Sequence, residues 1–288
     1  MTEIKSVSID HPLYPPSLKK IKNPPSVLYY RGKLPTEQEF CFAVVGTRRC
    51  SAYGRQVASF IVSDLCQAGL TIVSGFAPGI DTIAHQTTIE KGKRTIAVLG
   101  TGLDEKSIYP RSNLDLAQKI LENNGCLISE LPPGTPGSKF SFPQRNRIIA
   151  GLSRGVLIVE ARKNSGSLIT AYFAKKQNKK LFAIPGPIFS SCSQGVHQLI
   201  KEGAYLVENS NDIFKIMDIT PLAQHLKEDD MTKEEMLILK LLNEGPLEVE
   251  KIIERTRLSA PTVLSTLTLL EISGKIQSLG ENIYGIKN

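Results

Sequence analysis

The sequence predicts an α/β protein: a Rossmann-like, doubly wound and mostly parallel sheet, followed by a small C-terminal winged-helix domain. Three observations carry that prediction. From residue 41 onward, short apolar runs alternate with helix-like stretches. The runs are continuous rather than period-two, as strands covered on both faces require. Beyond about residue 217 the pattern changes to a polar stretch, three helix-like segments and a hairpin.

Taken in order, residues 1–40 open with DHPLYPPSLKKIKNPPSVLYYRG, a proline-rich entry segment read as an extended arm with its Tyr and Leu buried. Strands follow at FAVVG (42–46), TIVSG (71–75), TIAVLG (95–100), CLISE (126–130), GVLIVEA (155–161) and LFAIPG (181–186). Helices separate them at about 54–68, 81–91, 112–123, 145–152 and 167–178. Strand–helix–strand repetition builds a parallel sheet with helices on both faces. Nearly every strand ends in Gly, Ser or Glu, so polar and permissive residues collect at the carboxyl edge, where open α/β sheets bind ligands. These elements make 41–217 the Rossmann-like domain and 218–232 a linker, with the polar stretch HLKEDDMTKEE (225–235) running into a helix start. The remainder, 233–288, reads helix (234–243), helix (247–256), helix (260–273) and hairpin (275–287), the pattern of a winged helix.

The 288 residues carry 35 Lys+Arg against 28 Asp+Glu and are 41% apolar, which excludes disordered and fibrous classes. No apolar run reaches the ~18–20 residues of a membrane helix, and the N-terminus has no apolar signal core. Five scattered Cys without a CxxC fit reduced thiols in a cytoplasm, and four His lack metal-ligand spacing. The positive charge is uneven. Residues 220–288 hold 8 bases and 11 acids, leaving 27 bases and 17 acids, a net of +10, for residues 1–219. Within 139–180 there are ten bases and one acid, Glu160, a density that points to a polyanionic partner. Lys175, Lys176, Lys179 and Lys180 end a helix-like stretch, where the helix dipole alone also accounts for them.

Four loops could carry chemistry. VVGTRRCSAYG (44–54) places Gly46, Thr47, Arg48, Arg49 and Ser51 between a strand and a helix, an anion cradle with a planar guanidinium fork. SGFAPGIDTIAH (74–85) is a second Gly loop, in which Asp81 and His85 read either as loop supports or as acid/base groups. SKFSFPQRNRIIAG (138–151) interleaves Lys139, Arg145 and Arg147 with Phe140 and Phe142. Cations for phosphates and rings for bases are what single-stranded nucleic acid needs, with core packing the other use of one Phe. EARKNSGSLITA (160–171) brings Ser165, Gly166 and Ser167 to a helix start beside Arg162 and Lys163, where the serines either cap the helix or bind phosphate.

The missing motifs also narrow the function. The chain has no Walker A loop and no GxSxG elbow, and GTGLD (100–104) lacks the third Gly of a dinucleotide fingerprint. Glu130 and Glu160 sit at strand ends, where they either act as acid/base groups or tie down loops and pair with arginines. The helix a winged helix would lay in a groove, SAPTVLSTLTLLEISG (259–274), has no Lys or Arg, so this module reads as an accessory or protein-contact domain.

The succession VVGTRRCSAYG, SGFAPGIDTIAH, AVLGTGLD with IYPRSN, ISELPPGTPGSKFSFPQRNRIIAGLS, VEARKNSGSLITA and FAIPG resembles the DprA/Smf family of bacterial DNA-processing proteins over about residues 10–215. The resemblance implies a protein without catalytic residues, cofactor or metal, which binds single-stranded DNA regardless of sequence. It further implies loading of RecA recombinase onto strands covered by single-strand-binding protein, and a homodimer formed through the Rossmann-like domain. Carried over by position, the DNA site comprises Gly46, Thr47, Arg48, Ser51, Lys139, Phe142, Arg145, Asn146, Arg147, Ser165, Gly166 and Ser167. Two departures stand out: the helical module that many members carry before the entry segment has no room here, and His197 occupies a position usually held by Asn. The rival expectation is a nucleotide hydrolase or phosphoribohydrolase on a similar fold, but its PGGxGTxxE signature is absent from the chain.

Overall fold

A computed structural model of the chain describes residues 3–220, 232–272, 275–280 and 282–286. It divides into two compact units, Met1–Pro221 and Leu222–Asn288. Most of the expected 218–232 linker, residues 221–231, lies outside the described residues.

The larger unit is built on nine strands: β1 (Lys5–Ser8), β2 (Val27–Gly32), β3 (Cys41–Val45), β4 (Thr71–Ser74), β5 (Thr95–Val98), β6 (Cys126–Ser129), β7 (Gly155–Ile158), β8 (Lys180–Ala183) and β9 (Tyr205–Leu206). They lie in the order β1-β2-β6-β5-β4-β3-β7-β8-β9. From β6 to β9 every neighbouring pair is parallel. Strands β3 to β7 are buried at every residue, which explains their unbroken apolar runs.

Among the described residues, eight α-helices complete the unit: α1 (Pro16–Lys19), α2 (Ala52–Gln67), α3 (Ile80–Glu90), α4 (Leu114–Glu122), α5 (Ser141–Leu152), α6 (Ser167–Lys176), α7 (Gln194–Lys201) and α8 (Ser210–Met217). Alternate side chains of one strand serve opposite layers. Ala43 and Val45 of β3 pack with Leu18, Ile148, Ala171 and Val196 of α1, α5, α6 and α7. Phe42 and Val44 pack with Ile61, Ile80 and Phe214 of α2, α3 and α8. Helix α4 seats Leu116 and Ile120 against Ala97 and Leu127.

The entry segment is more than an arm. Tyr14, Leu18 and Leu28 are buried as expected. In addition, β2 pairs antiparallel with β6 (Tyr29↔Ser129), and β1 pairs antiparallel with β2. The aromatic and aliphatic V-L-Y-Y-R-G stretch suits a strand paired on both sides, while the flanking prolines hide that preference in the sequence.

The chain winds from β3 through β4 and β5 to β6 on one side, then returns through α5 to β7 on the other. The β3–β7 pair is therefore the topological switch point, and the crevice at its carboxyl edge is open to a ligand.

In the smaller unit, α9 (Lys233–Leu242), α10 (Val249–Thr256) and α11 (Ala260–Ile272) accompany β10 (Leu247–Glu248), β11 (Ile276–Gly280) and β12 (Ile283–Ile286), whose sheet order is β10-β12-β11. Thr232 and Glu235 form a capping box that starts α9. Ile238, Ile252, Val263, Leu267 and Ile276 supply its core.

Candidate nucleic-acid interface

Residues 46–51 leave β3 at the switch point and are anchored to the end of β7. Thr47 N–H donates to the Glu160 carbonyl at 2.8 Å, and Ile80 N–H donates to the Thr47 carbonyl at 3.3 Å. Gly46 is required by crowding: a Cβ there would lie 2.6 Å from Ile80 Cγ1. The Glu160 carboxylate, buried beneath the loop, accepts Ser51 N–H at 2.9 Å and Ser51 Oγ–H at 2.5 Å. Ser51 Oγ in turn accepts Gly54 N–H at 3.0 Å and caps α2. Glu160 thus ties a strand end, a loop and a helix start together.

Arg145 forms the floor and is only 6% exposed. Its guanidinium donates to the Val98 carbonyl and, at 3.2 Å, to Asn146 Oδ1. Burial pulls its pKa down to about 10, a value that still leaves it charged at neutral pH. Nearby Asp81 is also buried, and burial raises its pKa against the opposing pull of Arg145 and of the Ala77 N–H. Asn146 donates to the Gly166 carbonyl at 3.2 Å, joining α5 to the turn that starts α6.

Above this floor the cleft encloses about 1000 Å³. Its lining holds six cations, Arg48, Arg49, Lys139, Arg145, Arg162 and Lys163, and one carboxylate, Asp81. Arg48 lies over the Phe142 ring at 5.7 Å, and Tyr109 meets the same ring at 5.8 Å between centroids. Lys139 lies 5.3 Å from the ring of Phe140, which is 73% exposed. Ser165 and Ser167 hydroxyls are 2.8 Å apart at the N-terminus of α6, a helix end whose dipole favours anions. The arrangement provides positive charge along a groove, an aromatic face and a helix N-terminus, the requirements of a phosphodiester strand with unstacked bases.

Ten of the residues assigned from sequence converge on this lining: Gly46, Thr47, Arg48, Lys139, Phe142, Arg145, Asn146, Ser165, Gly166 and Ser167. Ser51 and Arg147 lie outside it. Ser51 is the cap just described, and the half-hidden Glu130 carboxylate pairs with the buried Arg147 guanidinium. Lys175, Lys176, Lys179 and Lys180 are also outside, with Lys175 paired to Glu202 at 2.7 Å. His85 is fully buried against Thr95, with Nδ1 2.7 Å from Oγ1. His197 Nε2 lies 3.0 Å from the Gly186 carbonyl and holds the turn after β8. Asn164, Ser191 and Gln194 are lining residues that the sequence reading passed over, because single polar residues in loops carry no pattern.

Comparison with known proteins adds a family to this geometry. The model for DNA recombination-mediator protein A matches residues 5–218. The chain belongs to the DprA/Smf family. The DprA winged helix domain model also matches, over residues 221–282. Protein Smf of Escherichia coli is 37% identical over 282 residues, covering 95% of this chain and 75% of that one. The DNA processing protein DprA of Streptococcus pneumoniae is 45% identical over 208 residues, covering 72% of each chain. Its X-ray structure superposes with a TM-score of 0.69 over 74% of both chains, at 42% identity. DNA processing protein A of Helicobacter pylori, described for its unique single-stranded DNA binding mode, gives a TM-score of 0.66 at 30% identity over 75% of this chain and 96% of that one. In the present DprA/Smf chain, no helix among the described residues is long and apolar enough to cross a membrane.

Proposed function

We propose that this chain binds single-stranded DNA without sequence preference and delivers it to a RecA-type recombinase. The observation that carries the reading is the cleft at the β3–β7 switch point, where five further cations line the cleft that holds the Arg48–Phe142 pair. Phosphates are held by Arg48, Lys139, Arg162 and Lys163, with the α6 N-terminus and the Ser165–Gly166–Ser167 turn as further donors. A base stacks on the Phe142 ring, whose orientation Arg48 and Tyr109 fix. Phosphate contacts and ring faces carry little base identity, which makes the binding sequence-tolerant. A closed duplex offers no free base face, so single strands are preferred.

The protein works without catalysis. Glu160 is engaged by Ser51, and Glu130 by Arg147, so neither carboxylate is placed to transfer a proton in the cleft. Hand-over to the recombinase in the cytoplasm, on strands covered by single-strand-binding protein, and assembly as a homodimer are part of the same proposal, which membership of the DprA/Smf family supports. Arg147 and Ser51 act here by positioning α5 and the Arg48 loop rather than by touching the strand.

Fluorescence anisotropy with labelled oligonucleotides tests the reading. Arg48→Ala and Lys139→Ala should weaken binding about equally for all sequences, and Phe142→Ala should cost about five- to a hundredfold in affinity, the worth of one stacked base. Full binding by an Arg48/Lys139 double variant would overturn it. Recombinase filament assembly on strands coated with single-strand-binding protein, with and without the chain, tests the hand-over.

A further inference from the structure

The turn after β8 carries the two most exposed large apolar side chains among the described residues, and the fold makes no use of them. Phe189 is 97% exposed and Ile188 75%. The turn itself is firmly built. Tyr53 Oη–H donates to the Pro185 carbonyl at 2.6 Å. Ser190 N–H donates to the Pro187 carbonyl at 3.0 Å, and Ser193 N–H to the Ser190 carbonyl at 3.1 Å. Two prolines fix φ on either side of Gly186. The tip is therefore a held apex that presents an apolar ring to water.

Its surroundings indicate what covers that ring. Ala161 N–H donates to the Cys192 carbonyl at 2.9 Å, and Gly195 N–H returns to the Ala161 carbonyl at 2.7 Å. The turn is thereby fastened to the segment that continues into Arg162 and Lys163, and its own Ser191 and Gln194 line the cleft. Phe142, by contrast, packs against Gly100, just past β5. Strands β5 and β8 are four positions apart in the sheet, about 19 Å at ~4.8 Å per strand. The two rings thus belong to segments on opposite flanks of the switch point, and the Arg162–Lys163 segment follows β7, a strand between β5 and β8.

We infer that Phe189, backed by Ile188, is a second base-stacking platform, which receives a nucleobase of the single strand as it leaves the Arg162–Lys163 side of the cleft. This rests on the single-stranded DNA reading above. The backbone of the turn is already ordered, so stacking of a base costs only the rotamer freedom of the ring, which makes it an efficient contact for a flexible strand.

The full chain contains no Trp, so Phe189→Trp introduces a single indole reporter. With an oligothymidylate of about 20 nucleotides, long enough to pass both flanks, its emission should be quenched on binding. Phe189→Ala should weaken the same complex about five- to a hundredfold while leaving the thermal midpoint unchanged, since the residue is 97% exposed. Wild-type affinity in Phe189→Ala, with unaltered emission from Phe189→Trp, overturns the inference. So does a Phe189→Ala chain that dissociates in sedimentation yet binds DNA normally, which would make the tip a contact between copies. If wild type binds and Arg48→Ala weakens it while Phe189→Ala does not, only this inference falls. If wild type fails to bind, the underlying reading falls with it.

Discussion

Arg145 and His85 are two buried ionisable side chains that behave in opposite ways. Arg145 keeps its charge below the cleft: the Asp81 carboxylate opposes the effect of burial, and the Val98 carbonyl and Asn146 Oδ1 accept its N–H groups. His85, fully buried and close to that charge, keeps none: burial first, and Arg145 second, pull its pKa down to about 3. Unfolded, the imidazole takes a proton near its ordinary value of 6.5. Its contribution to stability is therefore complete above that pH and is lost as the pH falls toward 3, by about 1.4 kcal/mol per unit. Urea unfolding at pH 7 and pH 5 should show this loss, and His85→Gln should flatten the slope. An unchanged slope in the variant would place the acid sensitivity elsewhere. The chemistry of individual side chains was only partly legible in the sequence. Glycine loops and Phe/Arg interleaving marked ten lining residues, yet the same signals included Arg147, whose partner Glu130 lies seventeen residues away, just past β6.

At the scale of elements, the site depends on how β3, α2 and β7 are fastened. Glu160 is the fastener, and Gly54 in the first turn of α2 leaves room for it: a Cβ at Gly54 would overlap the Glu160 carboxylate. Gly54→Ala should therefore displace that carboxylate, uncap α2 and cost about 2 kcal/mol of stability. It should also lower DNA affinity, although Gly54 is not part of the cleft lining, because the Arg48 loop loses its anchor. Denaturant titration and anisotropy on the same variant check both effects. The buried parallel strands were readable because burial on both faces leaves unbroken apolar runs. Strand β9 and strand β10 have two residues each and exist only through pairing, so no local periodicity announces them. Strands β1 and β2 were hidden by prolines whose placement outside the ladders becomes clear only once β6 is available as a partner.

For the whole molecule, charge separates two jobs. Residues 1–219 hold a net of +10, whereas residues 220–288 are net acidic and α11 has no Lys or Arg. The match of the second unit to the DprA winged helix domain thus describes its fold, while the cationic cleft lies in the first. A chain ending at residue 220 should keep its affinity for single strands within about twofold, since counterion release depends on cations the tail does not supply. Loss of binding on truncation would assign the strand to the winged helix instead.

The most direct test is the salt dependence of oligonucleotide affinity, measured for single-stranded and duplex DNA with wild type and the Arg48/Lys139 double variant. The cleft predicts that log affinity for single strands falls linearly with log salt, at a slope of about −0.7 per phosphate neutralised. The double variant should show a shallower slope by roughly two phosphates, and the duplex should compete poorly. Salt-independent binding, or an unchanged slope in the double variant, would contradict the account.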